Sequence, residues 1–299
     1  MNRNYYNEIK EELVNCEVYK RVKDYSKNRK ELESYYNVGK LLIEAQGNEE
    51  RAKYGNNLIK EYSKKLTEEL GIGYSERSLK YMRKFYLYQK GQPMAAQLSW
   101  THYQILLSLK DTNEINYYIK ECLRYNLSRR KLIDKIKSKE YQRLDDKTKN
   151  KLINKEETTI SDFIKNPIII KNNNIEIISE KILQELILDN IGNFLHELGP
   201  GYSFIDNEYK INIGGRLNYI DLLLFNIEYN CYVIIELKVT ELKKEHVGQI
   251  QIYMNYIDKN IKKITNDKTI GIIICKKDNK YILAYCSDSR IYSTTYVNI

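Results

Sequence analysis

Three ionisable residues interrupt two of the most apolar stretches of this 299-residue chain. Asp221 lies within NYIDLLLF (218–225), and Glu236 and Lys238 lie within CYVIIELKV (231–239). Both runs are rich in Ile, Leu, Val and Tyr, and NIEYN between them is turn material of hairpin length, so they read as neighbouring antiparallel strands. Side chains two apart on a strand share a face, so Glu236 and Lys238 project together while Ile235 and Leu237 point the other way. Asp221 falls near the middle of the adjacent strand, within reach across the pair. Two acids buried together cost free energy unless a cation or hydrogen bonds compensate, or one acid takes up a proton. A hard divalent ion resolves that conflict, because oxygen ligands so spaced suit Mg²⁺ or Mn²⁺, which keep several waters and accept phosphate oxygens. Lys238 would then hold or deprotonate an attacking water, or neutralise charge on a phosphorane-like transition state. A buried Glu-Lys-Asp ion-pair network without chemistry would use the same residues, and for an isolated ExK it is the simpler reading. The fuller constellation favours chemistry: an aspartate, a gap of fourteen residues, ExK, then a helix holding GQIQIY.

The elements needed to position these residues follow in order. SEKILQELILDNIGNFLHELG (179–199) has apolar residues at helical spacing and reads as one long helix stopped by Gly199. EYKINI, NYIDLLLF and CYVIIELKV read as strands, KKEHVGQIQIYMNYIDKNIKK (243–263) as a helix, and TIGIIIC and YILAYCS as two further strands. Helix, three strands, helix, strand, strand describes an α/β sandwich over residues 175–299.

The first half has a different character. SYYNVGKLLIEAQ (34–46), YGNNLIKEYSKKLTEEL (54–70) and SERSLKYMRKFYLYQK (75–90) each repeat apolar residues three and four apart, as amphipathic helices do. Gly71 and Gly73 stop one helix and Ser75 caps the next, the order of a helix-turn-helix-like unit. On the second helix Arg77, Lys80, Arg83 and Lys84 spread over one side while Leu79, Met82 and Phe85 point to a core. NLSRRKLIDKIKS repeats the pattern, with Ser128 as cap and Arg129 and Arg130 in the first turn. Trp100 and His102 sit in an apolar context and read as core residues. Residues 1–150 hold 31 Lys and Arg against 21 Asp and Glu, a balance of +10, whereas residues 151–299 hold 18 against 19, a balance of −1. A basic half suits a polyanionic partner, most simply nucleic acid, although solvated lysine is also the default surface. Weakened periodicity and rising charge make 151–174 the expected linker between a basic helical domain, 1–150, and the sandwich, 175–299. The five cysteines form no CxxC pair, which argues against a structural zinc site, and the charged N-terminus lacks the apolar region of a signal peptide, so a cytoplasmic location is expected.

With these residues in place a resemblance is visible. Asp221 with Glu236-Leu237-Lys238 resembles the D…ExK core of the PD-(D/E)XK phosphodiesterase superfamily, and Gln249 and Tyr253 resemble the QxxxY element of its RecB-type members. FLHELGPGYSFI, YIDLLLF, IELKV and HVGQIQIYMNYID, in that order, are similar to the nuclease half of the YhcG-like bacterial family. YNVGKLLIEAQ, RAKYGNNLIKEYSKKLTEELGIGYSERSLKYMRKFY and AAQLSWTHYQILLSLKD are similar to that family's other region. The resemblance implies a restriction-endonuclease-like α/β sandwich behind an all-α domain. It implies that Asp221 and Glu236 ligate Mg²⁺ or Mn²⁺ with the backbone carbonyl of Leu237, that Lys238 orients the water, and that Gln249 and Tyr253 support lysine or substrate. It matches Glu197, in HELG, to the acid on the preceding helix, with Glu180 and Glu185 as weaker candidates because Gln184 stands where a second helix acid is usual. His246 reads as a substrate contact at most.

The expected function is metal-dependent hydrolysis of DNA phosphodiester bonds, in repair, recombination or defence against mobile DNA. Nucleic acid would be bound through Ser75, Arg77, Lys80, Arg83, Lys84, Arg129 and Arg130. The alternatives are a DNA-binding or assembly module with a silent nuclease fold, and an RNA-directed nuclease, since no stacking platform or base-reading motif separates DNA from RNA. A need to cut two strands makes a homodimer the natural assembly.

Overall fold

A computed structural model describes residues 5–21, 27–47, 55–71, 73–91, 98–171 and 176–298. The chain divides into two compact units, Met1–Lys137 and Ser138–Ile299.

The first unit is helical: α1 (Tyr5–Arg21), α2 (Lys27–Ala45), α3 (Gly55–Leu70), α4 (Glu76–Gln89), α5 (Trp100–Leu106), α6 (Thr112–Tyr125) and α7 (Arg129–Lys137). Ser75 caps α4 as expected, its Oγ accepting from the Ser78 amide at 3.2 Å. Leu79, Met82 and Phe85 are buried, and Phe85 and Tyr35 pack on Trp100 with ring centroids 5.5 and 4.6 Å away. Gly39 lets α2 approach α4 closely, since a Cβ there would lie 2.2 Å from the Met82 carbonyl oxygen. His102 has a structural place. One ring nitrogen bonds the Ser99 hydroxyl at 2.7 Å and the other lies 3.0 Å from the Leu127 carbonyl, tying α5 to the turn before α7.

The second unit contains α8 (Asp146–Asn154), β1 (Ile168–Ile170), α9 (Glu180–Asp189), α10 (Ile191–Leu198), β2 (Tyr202–Ile213), β3 (Arg216–Asn226), β4 (Cys231–Glu241), α11 (Lys244–Asn260), β5 (Ile270–Lys277), α12 (Lys280–Ala284) and β6 (Ile291–Asn298). The strands form one sheet in the order β1-β6-β5-β4-β3-β2. β2, β3 and β4 pair antiparallel through short turns, whereas β4 to β5 is parallel and requires the crossover that α11 supplies. One face packs Val233, Ile235 and Leu237 of β4 under Leu183, Ile187 and Phe194. The other packs Ile234 and Ile273 under Ile250, Met254 and Ile257 of α11.

Three expectations are corrected. Residues 151–171 are no linker, because β1 pairs in parallel with β6 and Ile160, Ile168 and Ile170 are core residues. The charges that suggested solvent are spent on one another: Lys151 binds Asp162 at 2.9 Å, and Lys165, itself buried, faces Glu140 at 3.5 Å. The second unit therefore begins near residue 138 rather than 175. The helix expected over 179–199 breaks at Asn190, whose φ of −134° and ψ of 42° are not helical. Of the two final strands, YILAYCS instead contains the short α12, whose Ile282 and Leu283 pack against the α11-side core, and the last strand is β6. Cys16, Cys122, Cys231 and Cys275 are buried free thiols, and Cys286 is half-buried. Among the described residues no helix is long and apolar enough to cross a membrane.

Candidate active site

β3 and β4 hold their ladder from Asn226↔Cys231 to Leu222↔Ile235. Beyond it the Leu237 amide donates to the Asp221 carboxylate, Oδ2, at 2.7 Å. A side-chain oxygen thus meets a strand amide where a regular ladder would use a carbonyl. Gln184 on α9 anchors the same spot, its Nε2 donating to the Asp221 backbone carbonyl at 2.8 Å. The glutamine found at an expected acidic position therefore holds the strand that carries Asp221.

Glu236 is 1% exposed, and its Oε1 is buried with no hydrogen-bond partner. Its other oxygen faces Lys238 Nζ at 3.5 Å, and the same ammonium donates to Glu180 Oε2 at 3.2 Å. Burial first, and the Asp221 charge second, push the Glu236 carboxyl up to about 8. Asp221 is likewise raised, chiefly by burial, against the lowering effect of the Leu237 amide. For Lys238 burial favours the neutral amine, but Glu236, Asp221 and Glu180 outweigh it and leave its pKa above the ordinary lysine value. Gln249 Nε2 donates to the Tyr253 hydroxyl at 3.1 Å across one turn of α11, and the Tyr253 pKa is raised by its burial, with further contributions from Glu236 and Asp221. His246, at the start of α11, is held below the usual imidazole range by burial and by the Lys238 charge. Asp221, Glu236, Lys238 and the Leu237 backbone meet as the sequence led one to expect, with Tyr253 close enough to feel both acids and Gln249 bonded to Tyr253.

Glu197 does not join them. It grips Arg143 through both oxygens, at 2.5 and 3.1 Å, and accepts from the Ile169 amide at 3.1 Å. These bonds tie β1 to the 3₁₀ turn Tyr141–Arg143, so the carboxylate is already committed to a structural pair. The break at Asn190 explains the difference, because it places Glu197 on α10 and leaves Glu180 as the first residue of α9. Glu180 is the acid at Lys238, and the signal for it was its position directly after the Ser179 cap. Glu197→Gln should lower unfolding stability by about 1–3 kcal/mol, the cost of weakening a mostly buried charged pair. A melting curve measures this, and divalent-cation binding should not change.

The residues fit a metal ion by chemistry. A buried carboxylate oxygen lacks a partner beside a second carboxylate, the pattern that a hard cation satisfies. Among the described residues no group of three or more His, Cys, Asp and Glu side chains is placed to hold an ion alone. Water and phosphate oxygens would have to complete the shell, as is ordinary for Mg²⁺.

In the helical unit the candidate cations separate. Arg77, Lys84, Arg129 and Arg130 are exposed, and Arg77 and Arg129 line one cavity of about 560 Å³ with Ser75, Thr101, Gln104 and Ser108. Lys80 pairs with Glu76 at 2.6 Å. Arg83 turns to α2, donating to Gln46 Oε1 at 2.7 Å, and so leaves the exposed row predicted for it.

Comparison with known proteins adds the following. The family described as YhcG PDDEXK nuclease domain matches residues 161–297, and the DUF1016 N-terminal domain matches residues 12–143. A protein of Escherichia coli (strain K12), "Putative nuclease YhcG", is 27% identical over 283 residues, 81% of this chain and 76% of that protein. A repair endonuclease from Pyrococcus abyssi is 17% identical with a TM-score of 0.30, and EndoMS in a complex with double-stranded DNA is 19% identical with a TM-score of 0.31. Both alignments cover 42% of this chain and 48% of the other, so the chain spans about half the length of those structures. The α+β architecture with its C-terminal PD-(D/E)XK sandwich is the fold expected from the sequence.

Proposed function

Since this chain is a YhcG-like protein, with a PD-(D/E)XK nuclease domain behind a DUF1016 N-terminal domain, we propose that it is a divalent-metal-dependent nuclease that hydrolyses DNA phosphodiester bonds. One observation carries the reading: the orphaned, buried Glu236 Oε1 facing a shared site with Asp221 and Lys238. A purely structural ion-pair network would satisfy that oxygen, whereas a cation-binding site leaves it for the ion.

Asp221 and Glu236 would hold Mg²⁺ or Mn²⁺, with the Leu237 carbonyl adding an oxygen; when bound, the ion supplies Lewis-acid polarisation of the phosphate and a more acidic water. The protein's own groups do the rest. Lys238 brings a positive charge to the developing phosphorane and orients the attacking water. Glu180 holds Lys238 in place in the free protein, and Gln249 with Tyr253 presents amide and hydroxyl donors from α11. The basic helical unit binds the DNA backbone, with Arg77, Lys84, Arg129 and Arg130 as the exposed contacts.

Cleavage of supercoiled, linear and branched DNA, single-stranded DNA and RNA, each with Mg²⁺, Mn²⁺ or EDTA, tests this reading directly. Metal-dependent DNA products, absent with EDTA, are expected. Binding without cleavage under every condition would favour a module with a silent nuclease fold. For the helical unit, Arg77→Ala with Arg129→Ala should weaken DNA binding and reduce the salt slope by about 1 for each phosphate that is no longer neutralised. An unchanged slope in a titration over salt would return these arginines to an ordinary solvated surface.

A further inference from the structure

His246 is a half-buried imidazole that the chemistry above does not use, and the packing of α11 brings it to the two carboxylates. α11 leads from the end of β4 back to the start of β5, which is parallel to β4, so the helix runs antiparallel to both strands. Its register over the sheet is fixed at Gly271, where an added Cβ would lie 2.7 Å from Met254 Sδ and 2.8 Å from Ile250 Cδ1. Gly271 stands opposite Ile234, which packs under α11, and Glu236 and Lys238 follow Ile234 on the same face of β4. One turn from Ile250 towards the start of α11 is about 6 Å, and two residues along β4 from Ile234 is about 6.6 Å. His246 therefore comes level with Glu236 and Lys238. Gln249 and Tyr253, further along α11, continue the same flank of the helix.

The bonding of the ring leaves one nitrogen for a ligand. Nδ1 accepts from the Lys243 amide at 3.2 Å, closing the first turn of α11, so the proton of the neutral ring is on Nε2. That Nε2 has no hydrogen-bond partner among the described residues. Burial first, then the Lys238 and Lys243 charges against those of Glu180 and Glu245, hold the ring below the ordinary imidazole value, so at neutral pH it is an uncharged N–H donor. We infer that His246 is a substrate contact of the nuclease site, its Nε2–H donating to a non-bridging oxygen of the phosphate that Lys238 faces. The inference rests on the nuclease reading and adds to it a residue that touches the reacting group. An N–H donor level with a lysine ammonium suits an anionic oxygen, and the anion that the nuclease reading brings to Lys238 is the scissile phosphate. The nearby acids leave that place open. Glu180 is engaged by Lys238, and Glu245 is exposed about 100° round the helix from His246. Asp221 and Glu236 belong to the ion under the same reading.

The test measures kcat and KM for DNA cleavage with Mg²⁺ by the full chain and by His246→Ala, His246→Gln and His246→Glu, each with a melting curve. The substitutions separate the two bonds of the ring. At the third helical position glutamine and glutamate both accept the Lys243 amide, as capping-box residues do, but only glutamine also carries an N–H donor. His246→Ala is expected to lower kcat about tenfold or more, the direction of losing one donor to the developing charge, and His246→Gln to stay within about fivefold of wild type. His246→Glu should be slower than His246→Ala while melting no lower than wild type, because it keeps the cap and sets a negative charge against the phosphate. Wild-type rates for both His246→Gln and His246→Glu would reduce His246 to a helix cap and overturn the inference while leaving the nuclease reading standing. A loss confined to KM would overturn it as well, by moving the bond off the scissile phosphate. A wild type that cuts no nucleic acid with any divalent ion would remove the nuclease reading, and this contact with it.

Discussion

Asp221→Asn is expected to fold, to bind DNA, and to cut it roughly 10³-fold more slowly than wild type, the scale of losing one charge-stabilising group in a preorganised site. The substitution separates the two tasks of this carboxylate. Its Oδ2 accepts the Leu237 amide at 2.7 Å where the β3–β4 ladder ends, and an asparagine oxygen still accepts that bond. What asparagine cannot supply is the negative charge that a divalent ion requires. Stability should move the other way from activity. Asp221 is half-buried beside Glu236 and its charge raises the Glu236 pKa, so neutralising Asp221 removes a repulsion from the metal-free protein. A melting temperature at or above that of the wild type, together with lost cleavage, marks a residue kept for chemistry. Cleavage at the wild-type rate would take Asp221 out of the mechanism. A melting temperature several degrees lower would instead assign it a structural role.

Much of this site is legible in the sequence alone, and the reasons are local. Asp221, Glu236 and Lys238 stand inside apolar strands, where an unexplained charge is conspicuous, and the two-residue period fixes which of them share a face. Glu197 and Glu180 show where local reading fails. Both lie on helical sequence, and nothing within SEKILQELILDNIGNFLHELG announces that Asn190 breaks the helix or that Arg143, 54 residues earlier, claims Glu197. The segment 151–171 misleads for a related reason. Its lysines and acids look solvated in sequence, and only tertiary contacts reveal that Lys151 meets Asp162 and Lys165 meets Glu140. Arg83 follows the same logic, drawn away from the exposed row by Gln46 in the turn after α2.

A metal-free preparation should lose stability as the pH rises from about 5 to 8, and Mg²⁺ should restore it increasingly over the same interval. The sign follows from Glu236. Unfolded, its carboxyl ionises near the ordinary value of 4.5, whereas burial and Asp221 hold it at about 8 in the folded protein. Between those values the folded state keeps a proton that the unfolded state has released, so unfolding free energy falls with pH and levels off above about 8. Each unit of that difference is worth about 1.4 kcal/mol, so the total slope is large for a single residue. Metal binding runs against the proton, because an ion needs the carboxylate form. Apparent Mg²⁺ affinity should therefore rise up to about tenfold per pH unit towards 8, and the melting-temperature gain with it. Calorimetry at pH 6 and pH 8, with EDTA or Mg²⁺, reads both effects, and Glu236→Gln should flatten the EDTA series and abolish the Mg²⁺ gain. Lys238 should not limit activity at neutral pH, because its acidic neighbours, overcoming the effect of burial, hold it protonated above the ordinary lysine value. Cleavage by the wild type should accordingly climb towards pH 8 without a falling limb from this lysine. A Mg²⁺ gain equal at both pH values, or one that survives in Glu236→Gln, would move the ion away from Glu236 and take the proposed metal site with it.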